Sequence, residues 1–266
     1  TGGHRARASA LDLLSLGASL QMAQAPSLAS LSENDGLRAL VAALGEPLEL
    51  MNAEGQVLRV EAGGHGDEAH AEVCTSCIRA QHVRGVYYWL TSQAAASSES
   101  GWPGLLVDAA VPDASPRRLA VRTSLRAATA ATADGLEFLR LASAQRLSSD
   151  RAPRANAALS EAMSRLHALL LALQGAPSRG VAVLEAHCSR YADSTYTLSL
   201  RSVLVAGTQQ LSEAAELQRD ALALQRSEGA TENDAGLRLI LHNLVVLYER
   251  LDQLDVSERI AEMLSD

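Results

Sequence analysis

The chain has 266 residues, of which 47% are hydrophobic and 20% charged, with a formal net charge of -8 at pH 7. A chain of this length and apolar share can bury a sizeable core, and its acid excess leaves no overall positive field for a nucleic-acid backbone or an anionic membrane surface. All 23 members of the Lys+Arg count are Arg, which excludes a pyridoxal Schiff base, a Walker-type phosphate-binding lysine and an amine nucleophile.

With one Phe and 3% aromatics, the core must be built from Leu, Ala and Val, whose small volumes favour closely packed helices. The three cysteines, Cys74, Cys77 and Cys188, are too few and too odd in number for a disulfide framework, so the expected compartment is reducing and cytoplasmic. No apolar run reaches membrane-spanning length, and no membrane insertion is expected.

In chain order, Leu11, Leu13, Leu14, Leu16 and Leu20 predict a helix over 8–24 with a broad apolar face. A second helix is predicted over 33–44, with Asn34 and Asp35 at its start and Gly45-Glu46-Pro47 at its end. The pattern then changes period. Leu48, Leu50, Val57, Leu58 and Val60 flank Asn52-Ala53-Glu54-Gly55 and read as a hairpin of two short strands. A helix is predicted from Asp67, followed by a strand at Val86-Tyr87-Tyr88-Trp89-Leu90 and an Ala/Ser loop over 94–100. A second hairpin is predicted from strands at 104–111 and 118–123 around Pro112 to Pro116. From about Ser124 the strand signals stop, and helices are predicted at 128–147, 156–174, 178–189, 197–207, 212–227, 235–251 and 256–264. Ser148 to Arg154 reads as a linker. These periods predict an α+β module over 1–147 and an all-α array over 155–266.

The stretch His242-Asn243-Leu244-Val245-Val246-Leu247-Tyr248 to Ile260 resembles a tetratricopeptide repeat of the kinesin light chain kind. Asn243, Leu244, Leu247 and Tyr248 match the family's first helix, Ser257 stands where a small residue opens the packing between helices, and Asp252 replaces a common turn glycine. The device recurs upstream. Leu204-Val205 and Ala214 parallel Leu247-Tyr248 and Ser257 at a shift of 43, and Gly180 lies 34 residues before Ala214. The resemblance covers about two fifths of the chain, Leu166 to Leu264. It implies stacked helix pairs that bind another protein or a peptide, with Asn243, Tyr248 and Arg250 as candidate partner-binding residues. Arg238 and Arg259 could also line a face for an acidic peptide.

Reactive side chains are densest from His65 to His82. On a helix, His70, Cys74 and Cys77 fall at i, i+4 and i+7, where two thiolates and an imidazole can hold Zn²⁺, and His82 can join them only if the helix ends first. The Cys-x-x-Cys pair also reads as a redox pair, or as two small buried hydrophobes. No nucleophile elbow and no phosphate-binding glycine loop occurs. The segment from Leu44 to Leu58 resembles the opening hairpin of GAF- or PAS-type sensor domains. The expectation is a non-enzymatic interaction protein that scaffolds or regulates a complex without a cofactor, with a homo-oligomer open. The alternative is a small-molecule or zinc sensor that signals through the helical region.

Overall fold

The computed structural model describes residues 2–45, 68–97, 116–145, 153–230 and 234–265. Among them the structure contains helices and no strand, which overturns the α+β expectation. The helices are α1 (Gly2–Gln24), α2 (Leu28–Glu33), α3 (Asp35–Ala43), α4 (Glu68–Ser97), α5 (Pro116–Gln145), α6 (Pro153–Leu173), α7 (Pro177–Cys188), α8 (Thr195–Gly207), α9 (Leu211–Ser227), α10 (Ala235–Arg250) and α11 (Leu254–Ser265). None is long and apolar enough to cross a membrane. The hairpin expected over 48–60 and the strand expected over 104–111 lie outside the described residues.

Two expected strands are helical for identifiable reasons. Val86 to Leu90 lies in α4, which is covered on two sides and therefore has no polar face to reveal its period. Cys77, Ala80, Val83 and Tyr87 pack with Leu11, Ala18, Leu31, Leu37 and Val41 of α1 to α3, while Ile78 packs with Leu139 of α5 and Met163. Residues 118–123 open α5. There Leu119 is exposed while Val121, Leu125 and Ala128 are buried, so a pattern that alternates over a few residues continues at helical spacing. The threonines that favour strands bond back to the preceding turn, Thr123 to the Leu119 carbonyl at 2.8 Å and Thr129 to the Leu125 carbonyl at 2.8 Å.

The chain divides into two compact units, Thr1–Leu166 and His167–Asp266. Their boundary falls inside α6, whereas the expected linker lies mostly outside the described residues. In the first unit, α4 and α5 run antiparallel and approach closely at Gly85, where an added Cβ would lie 2.7 Å from Thr132 Cγ2. Asp12 of α1 accepts from Ser76 Oγ at 2.9 Å and pairs with Arg79 at 3.3 Å.

The second unit repeats one hairpin in α6/α7, α8/α9 and α10/α11, and the turn that closes each also closes α9 at Gly229, at φ 84° with Ala230 donating to the Gln225 carbonyl at 3.3 Å. Each turn holds a residue in the left-handed region, at φ 80° for Gly175, 67° for Gln209 and 55° for Asp252. The next residue then donates its N–H five residues back, Ala176 to Leu171 at 2.9 Å, Gln210 to Val205 at 3.4 Å and Gln253 to Tyr248 at 2.9 Å. The hairpins cross at small residues. An added Cβ on Gly180 would meet the Ala168 carbonyl oxygen at 2.7 Å, Ser202 Oγ donates to the Ala214 carbonyl at 2.7 Å, and Ser257 Oγ donates to the Val245 carbonyl at 3.4 Å. Turns and crossings are therefore related by the same shifts of 34 and 43 residues that appear in the sequence. Burying apolar positions from successive hairpins in one cluster, such as Leu198, Val205, Ala214, Leu217, Ile240 and Leu244, makes each pair depend on its neighbours.

Candidate docking face

Helices α8 and α10 are fixed at their starts by caps. Ser194 Oγ accepts from the Thr197 amide at 3.2 Å, and Asp234 Oδ1 accepts from the amides of Gly236 and Leu237 at 2.7 and 3.3 Å. Their inward faces are set by Leu198, Leu204 and Val205 on α8 and by Ile240, Leu241, Leu244, Leu247 and Tyr248 on α10. This leaves Tyr196 and Val203 on α8 exposed at 56% and 48%, and Leu239 and Val246 on α10 exposed at 56% and 40%.

Each pair is spaced i, i+7, so it marks one side of its helix. The pairs are also related by 43 residues, Tyr196 to Leu239 and Val203 to Val246, which is the shift relating turns and crossings of the same hairpins. Four large apolar side chains thus occupy equivalent outward positions on neighbouring first helices. Ser199 and His242 lie between the members of each pair and are related by the same shift.

One buried amide ties these helices together beneath the face. Gln218 of α9 is fully buried, and its Nε2 donates to Ser199 Oγ at 3.1 Å and to the Ile240 carbonyl at 3.4 Å. Its Oε1 has no hydrogen-bond partner, so the two donor bonds hold the group where its other pole is unsatisfied. Tyr196 leans toward the start of α10, with its hydroxyl 3.8 Å from where a Gly236 Cβ would stand. At the other end, Arg250 Nη2 donates to Gln209 Oε1 of the preceding turn at 3.4 Å.

The residues expected to bind a partner fare differently. Tyr248 is 8% exposed and packs in the cluster with Val205, Leu244 and Leu247, so its ring belongs to the core rather than to the exposed side of α10. Its family-like position is the reason, because the equivalent residues Val205 and Leu171 are buried too. Asn243 is half-buried on α10, and Arg250 is exposed and engaged with Gln209. Arg238 donates to the Leu264 carbonyl at 3.2 Å. Tyr196, Val203, Leu239 and Val246 were missed. Applying the 43-residue shift to outward as well as to packing positions would have found them.

The expected metal set lies along α4. Cys77 is 1% exposed, inside the apolar cluster with Leu37 and Val41. The helix does not end before His82 but continues to Ser97, which puts His82 about 140° round from Cys77 at about 100° per residue. Burial holds the His82 imidazole below its ordinary pKa. The side chains of His70 and Cys74 lie outside the described ones, and among the described residues no three His, Cys, Asp or Glu side chains gather as ligands.

The chain matches no family model, no curated protein and no solved structure.

Proposed function

We propose that this is a non-enzymatic interaction protein whose tetratricopeptide-like helix pairs dock another protein or a peptide on the outward face of α8 and α10. The observation that carries the reading is the apolar ladder of Tyr196, Val203, Leu239 and Val246, each at least 40% exposed and repeated at the hairpin shift. Isolated exposed hydrophobes are ordinary, but four at equivalent positions on adjacent helices form a patch of the kind that marks protein contact. The recurring turns and small-residue crossings support the repeat assignment, because they keep successive first helices in register. Exposed His242 within the ladder would orient a bound segment by a hydrogen bond while the apolar groups supply affinity.

The test is enrichment of a binding partner from native extract by the full chain and by Tyr196→Ala and Leu239→Asp variants. Loss of capture by about 10-fold or more in both variants, with unchanged thermal stability, is the expected result. Capture by both variants at the level of the unaltered chain would refute this face.

A further inference from the structure

One turn beyond each crossing point stands an equivalent residue of the second helix: Leu184 after Gly180, Gln218 after Ala214 and Ala261 after Ser257. In the first two hairpins this residue reaches both its own first helix and the first helix of the next hairpin. Leu184 shares a cluster with Ala168 of α6 and Leu204 of α8, and Gln218 bonds to Ser199 of α8 and Ile240 of α10. Both are 0% exposed, so the two places are equally dry. One is filled by a leucine and the other by an amide, although the same hairpin design accepts an apolar side chain there.

The amide is the less stable choice. Its Oε1 is buried without a hydrogen-bond partner, and a buried acceptor left unmade costs more than a typical made bond returns. Turning the amide over gives no relief. It would set an oxygen against the Ile240 carbonyl oxygen, now 3.4 Å from Nε2, and two acceptors cannot bond.

We propose that Gln218 is a register lock, which holds α8 and α10 at one axial offset and lowers stability by doing so. Hydrogen bonds are directional, whereas an apolar core keeps its burial while losing a unique arrangement. The two bonds act at the middle of the ladder. Ser199 lies between Tyr196 and Val203, and Ile240 adjoins Leu239, so the offset they fix is the spacing between the two apolar pairs. What that spacing serves rests on the docking function proposed for the ladder; the lock itself does not. Removing the amide strands no other group, because Ser199 is half-buried and within reach of water, and the Ile240 carbonyl lies inside α10 with its helical partner.

Methyl relaxation-dispersion nuclear magnetic resonance of the full chain, with no partner present, reads the lock directly. In the parent chain the methyl groups of Val203, Leu239 and Val246 should give single sharp signals. In Gln218→Met these signals should broaden about twofold or more through microsecond-to-millisecond exchange, while those of Leu184 and Leu204 stay sharp. The urea midpoint should be unchanged or higher. Gln218→Leu, which copies the first hairpin, should behave alike. Ladder signals as sharp as the parent's in the more stable of the two variants, or a lower urea midpoint in both, would overturn the proposal. Failure of the docking function would leave these readouts unmoved, so the two can be told apart.

Discussion

Replacing Gly180 by Ala probes the tightest of the three hairpin crossings. The new Cβ would stand 2.7 Å from the Ala168 carbonyl oxygen and 3.0 Å from Leu204 Cδ1. The leucine tip can turn aside, but the carbonyl belongs to the helix backbone, so α6 and α7 must separate and loosen the cluster of Ala168, Leu184 and Leu204. Such overpacking costs about 1–3 kcal/mol, and the better helix propensity of Ala offsets about 1 kcal/mol of it. Gly207 supplies the control, because a Cβ there meets only Pro177 Cβ at an ordinary 3.7 Å. Gly207→Ala should therefore stabilise by about 0.5 kcal/mol, while Gly180→Ala destabilises by about 1 kcal/mol and Gly180→Val by about 3 kcal/mol. Urea titrations followed by far-ultraviolet circular dichroism, with unchanged slopes, would measure the midpoints. In a unit of about 100 residues each kcal/mol also moves the melting temperature by roughly 4–8 °C. If both alanine variants raise stability alike, the close crossing is refuted.

Three further outcomes follow from the same packing. Tyr248→Ala should cost about 3–5 kcal/mol in stability and Tyr248→Phe about 1 kcal/mol or less, measured by denaturant unfolding; loss of partner capture without loss of stability would return Tyr248 to the surface. Burial, then the charge of Arg179, holds the His167 imidazole below its ordinary value of 6.5, so the unfolded chain takes up that proton first. Stability should be full above pH 6.5 and decline as pH falls through it toward the lower folded value, with a shallower decline in His167→Gln melts. Burial, then the hydrogen bond to Asp193, pushes the Cys188 thiol up to about 12, so peptide-resolved alkylation at pH 8 should be slow and Asp193→Asn should speed it.

The helical second half was legible because its helices are covered on one side and solvated on the other, so their periodicity survives in the sequence. Gly180, Ala214 and Ser257 were readable as crossing points for the same reason: a recurrent small residue is a packing requirement written at fixed spacing. The first half was less legible. Helix α4 lies between α1–α3 and α5, and a run such as Val86 to Leu90 that is apolar on several sides carries no period to separate helix from strand. Arg118 to Thr123 misled through β-forming residues whose hydroxyls are accommodated by the helix itself. At the site, the family-like run around Asn243 and Leu244 points to Tyr248 as a contact, whereas its ring is buried in the cluster around Leu244. Tyr196 and Leu239 look unremarkable singly; their 43-residue relation is written in the sequence, and the fold shows that both positions face outward.

The central claim is that the ladder on α8 and α10 is where a partner docks. Its most direct test is to place a photoactivatable crosslinking residue singly at positions 196, 203, 239 and 246 of the full chain, and at the exposed positions 213 and 220 of α9 as controls, then irradiate in native extract. The account predicts one common crosslinked protein from all four ladder positions and none of it from α9. The same product from positions 213 and 220, with none from the ladder, would contradict it.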